Sequence, residues 1–136
     1  MRPLLAMLAL MSTAARPPST PEIDLERLVE CIMQTEGGSW GKPGGRGCIH
    51  YSAWSDRTHL PYQGSMSEET ALPVYRDHVE WLIRNLPKHH VTVTPAAVYA
   101  CWHYGLEGGS RMIHRHGLPE DAVRCMNLYD EKSQVR

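Results

Sequence analysis

Glu36 is the residue with the most chemical promise. It closes a stretch predicted as a helix from Pro21 to Glu36, and Gly37 and Gly38 follow it. At about 100° per residue, Leu25, Leu28, Val29 and Ile32 share one apolar arc. Glu36 falls inside that arc, while Asp24, Glu26, Arg27, Glu30 and Gln34 take the other side. A carboxylate in line with a core stripe loses solvation, and the C-terminal end of the helix dipole disfavours its charge. Both effects hold a proton on it near neutral pH, the state a general acid requires. The competing reading is a frayed last turn that leaves Glu36 in water.

The elements that would position this carboxylate follow from turn and cap signals. Residues 37–47 (GGSWGKPGGRG) hold six glycines and a proline. They form either a loop that brings backbone close to something or a plain connection. A short helical piece is expected around Ser52 to Thr58. Ser67 caps a helix to about Leu86, with Ala71, Val74, Tyr75, His78, Leu82 and Leu86 as its stripe, Pro73 as a candidate true start and Pro87 as a stop. His89 to Thr94 alternates weakly and reads as a short extended piece. Thr94-Pro95 opens a helix to about Tyr104, closed by Gly105, Gly108 and Gly109. Pro119 opens the last helix, to about Glu131, with Ala122, Cys125, Met126 and Tyr129 facing inward. The fold class expected is all-α, a compact domain of four to five helices with little or no sheet.

The ends of the chain carry a different message. Met1-Arg2-Pro3 precedes an apolar run from Leu4 to Met11, followed by Ser12, Thr13, Ala14 and Ala15. A charged start, a short apolar core and a small-residue exit read as a secretory signal over 1–15, with 16–21 as a linker, 22–131 as the domain and 132–136 as a tail. The apolar run is too short for a stable transmembrane helix. The expectation is an exported protein, periplasmic or extracellular, with no stable membrane span after signal cleavage. The formal net charge is −1 with no basic stripe, which argues against nucleic acid as a partner. Four cysteines, Cys31, Cys48, Cys101 and Cys125, permit two disulfides in an exported chain and equally fit buried thiols. None makes a C-x-x-C pair. His89-His90 and His114-x-His116 are the tightest histidine pairs, without H-E-x-x-H or an acidic partner at helical spacing. No metal and no cofactor are expected.

Four segments fall in a telling order. A helix ends in Glu36. Gly47-Cys48-Ile49-His50-Tyr51-Ser52-Ala53-Trp54 follows the glycine-rich loop. Ala100-Cys101-Trp102-His103-Tyr104-Gly105 lies on a later helix. Asp121 to Tyr129 lies on the last. This layout resembles the lysozyme-like soluble lytic transglycosylases and goose-type lysozymes, over about residues 22 to 131. There a glutamate ends a helix, and G-L-M-Q, A-Y-N-A-G and Y-V-x-x-V segments follow. His50 stands where that family has Gln, His103 where it has Asn, and Gly37 where a Ser follows the Glu.

The resemblance implies a lysozyme-like domain acting on a peptidoglycan strand at the bond between N-acetylmuramic acid and N-acetylglucosamine; a monomer is expected. Glu36 would protonate the glycosidic oxygen as an oxocarbenium-like state develops, then act as base. Attack by the muramic C6 hydroxyl gives an anhydro-sugar; attack by water gives hydrolysis. His50 and Tyr51 are candidate donors to substrate or to Glu36, His103 and Tyr104 candidate cleft residues, and Tyr129 a candidate wall of the acid's pocket. Asp56 is either a second carboxylate across the cleft or a local residue, paired with Arg57 or capping the helix at that turn, the local role being favoured. The reading from another class is a non-catalytic exported module that binds glycan or a protein partner, with the substitutions at His50 and His103 as its motive.

Overall fold

A computed structural model describes residues 22–62 and 67–134. The expected signal (1–15) and linker (16–21) lie outside the described residues. Six α-helices follow in order: α1 (Leu25–Glu36), α2 (Tyr51–Arg57), α3 (Glu68–Asn85), α4 (Pro95–Tyr104), α5 (Leu106–His116) and α6 (Glu120–Gln134). A 3-10 turn, Leu86–His89, joins α3 to the segment before α4. Among the described residues there is no strand; residues 91–94 are irregular rather than extended into a sheet. The domain is all-α, as its sequence pattern predicts.

Helix α1 begins later than Pro21 because Asp24 takes the cap, its side chain accepting from the Arg27 amide at 3.1 Å. Ser67 and Thr94 cap α3 and α4 in the same manner, accepting from Thr70 N and Ala97 N. Pro73 does not start α3; it lies inside it. The carbonyl it leaves without an intrahelical partner, that of Glu69, is on an exposed residue where water can satisfy it. The last helix continues through residues 132–134, so this part of the expected tail is helical.

The glycines at 108 and 109 do not end α4. They lie inside a helix that the sequence reading missed, α5. A Cβ on Gly109 would sit 2.8 Å from the Ala100 carbonyl oxygen and from the Cys101 Cα and Sγ. Glycine's unfavourable helix propensity is offset here by a backbone approach that no other residue permits.

Helix α4 is the centre of the molecule. Every residue from Ala96 to Trp102 is buried, so the helix is apolar all round, as a core helix should be. It packs against α3, α5 and α6, while α1 lies across α3 and α6. Leu28, Ile32 and Met33 of α1, Tyr75, Val79 and Leu82 of α3, and Ala122 and Cys125 of α6 complete the core.

The glycine-rich loop is fastened to this core. Tyr75 donates to the Gly44 carbonyl at 2.6 Å, and the Trp102 indole to the Gly47 carbonyl at 2.8 Å. Gly45 has φ +59°, and a Cβ there would meet the Trp40 ring and the Tyr75 hydroxyl within 3.0 Å. The Gly47 amide returns to the Gly37 carbonyl at 2.7 Å, directly after Glu36. The loop thus fixes the exit from α1, and the last turn does not fray: the Gly37 amide reaches the Met33 carbonyl at 2.9 Å.

Candidate functional site

With its helix end pinned, the Glu36 side chain is 8 % exposed. It meets two side chains from α4. His103 Nδ1 lies 2.8 Å from Glu36 Oε1 and 3.0 Å from Oε2. The Tyr99 hydroxyl donates to Oε1. Tyr99 and His103 are four residues apart and therefore on one helix face; their rings stack at 6.1 Å and 17°. Burial, then the hydrogen bond to Glu36 and its charge, raise the Tyr99 pKa far above the ordinary phenol value, so its hydroxyl keeps its proton and serves as a donor. The sequence reading offered His50 and Tyr51 as donors to Glu36; the partners are Tyr99 and His103.

The Glu36 partner His103 faces outward, its side chain 40 % exposed. It lines a cleft of about 350 Å³ together with His50, Ser52 and Asp56 from the α2 side, His78 from α3, Tyr104 at the end of α4 and Leu106 at the start of α5. His50 Nε2 lies 2.9 Å from the His103 carbonyl oxygen. A carbonyl only accepts, so His50 carries its proton on Nε2. Glu36, His103 and His50 thus form one chain of contacts, in which His103 and His50 line the cleft and Glu36 stands behind His103. Tyr104 stands edge-on to His103 with ring centroids 4.5 Å apart and is 45 % exposed.

The remaining sequence candidates separate. Asp56 lies at the cleft and forms no ion pair with Arg57, whose guanidinium instead covers the Trp81 ring at 4.5 Å. Tyr51 is exposed and packs edge-on against Tyr62, which itself donates to the Ile49 carbonyl at 2.6 Å. Tyr51 is not a lining residue of the cleft. Tyr129 is away from the carboxylate: its hydroxyl accepts from the Asp24 amide at the opposite end of α1, and Arg27 covers its ring. It closes α1 onto α6 and has no part in the acid's surroundings.

Two residues absent from the sequence candidates belong to the site. Tyr99 is one; its spacing of four from His103 was the available signal. His78, read as part of the α3 apolar stripe, is the other. It is 6 % exposed, stacks on Trp81 at 5.7 Å and 14°, and lies 5.4 Å from Trp102. Its Nδ1 is sealed from solvent and has no hydrogen-bond partner. Burial, then the Arg57 charge, lower its pKa to about 4, and Asp56 opposes them weakly. His78 is therefore neutral near pH 7.

The thiols do not supply a nucleophile. The four cysteines are free, and Cys31, Cys101 and Cys125 are buried. Cys48 is exposed beside Glu36, its Sγ 3.8 Å from the Gly37 carbonyl oxygen. Partial burial and the Glu36 charge raise its pKa, so it is held as the thiol. Among the described residues, no three His, Cys, Asp or Glu side chains are grouped to hold a metal ion, and no helix is long and apolar enough to cross a membrane. A larger cavity of about 640 Å³ lies between the start of α1 and the end of α3, lined mainly by Ile23, Leu25, Ile83, Pro87 and Val93. Its ionisable residues are the exposed Glu22 and the pair Glu80 and Arg84, 3.8 Å apart, with no buried carboxylate held by a histidine as Glu36 is by His103. Neither the family models, nor the curated proteins, nor the solved structures provide a match to this chain.

Proposed function

We propose that this chain is an exported glycosidase that cleaves peptidoglycan strands, a muramidase or lytic transglycosylase, with Glu36 as the general acid/base. The observation that carries the reading is a nearly buried carboxylate at a pinned helix end, hydrogen-bonded to a histidine that lines an open cleft. The order of segments around Glu36, His50 and His103 agrees with the lysozyme-like layout. Across this contact the site can give a proton to a glycosidic oxygen in the cleft and take one back from the attacking hydroxyl or water. Tyr99 fixes the carboxylate from the core side, so the pair does not need to reorganise as charge develops. The test is clearing of purified cell walls, followed by mass analysis of released fragments. Anhydro ends or reducing ends, absent with Glu36→Gln, are the expected result. Equal clearing by wild type and Glu36→Gln rules the assignment out.

A second reading follows from the same contacts. His103 is held from both sides, by Glu36 at its ring and by His50 at its carbonyl, which suits a rigid wall of a non-catalytic glycan-binding module. Under that reading Glu36→Gln and wild type bind glycan equally and neither releases fragments.

A further inference from the structure

We infer that His78 reads the ligand in this cleft, donating from Nε2–H to an uncharged oxygen, a hydroxyl or amide carbonyl, of a seated sugar residue. The inference rests on the glycan reading of the site. Its grounds are separate from Glu36. His78 is buried, only 6 % exposed, and it lines the cleft. An imidazole present only to stack between Trp81 and Trp102 leaves a polar nitrogen unsatisfied, a cost that phenylalanine avoids.

The sealed and partnerless nitrogen is Nδ1. A bare lone pair is the less costly occupant of such a place than an N–H, so the proton belongs on Nε2. Nε2 is not among the sealed, partnerless atoms, and His78 lines the cleft, so Nε2–H is the ring group left for a ligand there. The other two cleft imidazoles are already engaged, His50 through Nε2 with the His103 carbonyl and His103 through Nδ1 with Glu36. His78 is the one whose ring makes no hydrogen bond.

The class of ligand group follows from the charges around it. Burial and the neighbouring Arg57 keep the imidazole neutral, so it offers a hydrogen bond rather than a counter-charge. Asp56 lines the same cleft and Glu36 stands behind His103, so an anionic group entering here meets two carboxylates. Hydroxyl and amide oxygens, the acceptors that an amino-sugar polymer presents, meet neither penalty.

The test uses the trimer of N-acetylglucosamine as probe and the full protein. Titrating it into wild type should shift the ring nitrogen and carbon-bound proton resonances of His78 while the ring stays neutral. His78→Phe keeps both aromatic contacts; it should stay folded, melt no lower than wild type, and bind the trimer about tenfold more weakly. His78→Gln, which restores a donor, should recover part of the affinity. Trimer binding that leaves the His78 resonances unmoved, an unchanged affinity in a folded His78→Phe, or no binding to wild type would each overturn the inference. The resonance test needs no variant to fold. Cell-wall clearing by Glu36→Gln separates this from the catalytic reading. If that variant clears walls like wild type while His78→Phe loses affinity, the catalytic assignment fails and the present inference stands. The reverse pattern retires His78 alone.

Discussion

His103 Nδ1 stands 2.8 Å from Glu36 Oε1, joining two residues separated by 67 positions in sequence. One comes from the terminus of α1 and the other from the last turn of the central helix α4. Neither helix packs broadly on the other; they meet through this contact and the neighbouring one from Tyr99. The chemistry proposed for the site requires that junction.

Tyr99→Phe tests it with the least disturbance. The ring and its stack on His103 remain, and only the hydroxyl that donates to Glu36 is lost. A hydrogen bond to a charged group contributes about 1.5–3 kcal/mol. Wall clearing should fall by roughly tenfold or more, with the helical circular dichroism unchanged. Clearing at the wild-type rate would show that Tyr99 does not serve the acid.

His78 gives the fold a pH dependence of known sign. Its folded pKa, about 4, lies below the ordinary 6.5. Between those values the unfolded chain binds the proton and the folded chain does not, so stability is lost as pH falls through that window. At about 1.4 kcal/mol per pKa unit, the loss is of the order of 3 kcal/mol by pH 4. Urea unfolding at pH 7.5, 5.5 and 4.5 should trace it, and His78→Phe should flatten the curve. A wild type equally stable across that range would contradict the neutral buried imidazole.

The thiols should sort by burial. A disulfide reagent added to denatured protein should find all four cysteines free. In the native protein Cys48 alone should react, slowly for an exposed thiol because partial burial and the adjacent carboxylate hold its proton. Burial drives Cys125 up to about 12, and it should stay unlabelled until the chain unfolds. Fast native labelling of two or more thiols would refute this arrangement.

Gly109→Ala should destabilise despite alanine's better helix propensity. The added methyl enters a contact of 2.8 Å with backbone of α4, and overpacking of this kind costs about 1–3 kcal/mol. Gly108→Ala is the control. Its Cβ would approach nothing closer than the Tyr104 Cβ at 3.6 Å, and it should be neutral or stabilising. A Gly109→Ala protein as stable as wild type would mean that α4 and α5 are farther apart.

Much of the helical frame is legible in local signals because those signals are local in cause. Ser67 and Thr94 cap the helices they introduce, and the α1 stripe carries Glu36 toward the interior. What escapes the sequence depends on contacts made at a distance. Gly108-Gly109 reads as a stop, and only the nearness of Ala100 and Cys101 explains its place inside α5. Tyr129 shares the inward face of α6, yet periodicity is silent about which end of α1 that face meets; it meets Asp24. His78 follows the apolar stripe of α3 faithfully, and its role turns on a nitrogen that has no partner. Tyr99 was within reach, since residues four apart on a helix share a face.

Because α4 is enclosed along Ala96 to Trp102 and carries Tyr99 and His103 on the same ten-residue helix, half-assembled molecules have no working version of the site. The carboxylate and its imidazole come within reach of each other only once the innermost helix has docked. The proposed wall clearing should then be a head-count of fully native copies, and partial unfolding should silence it before most of the helical signal has gone.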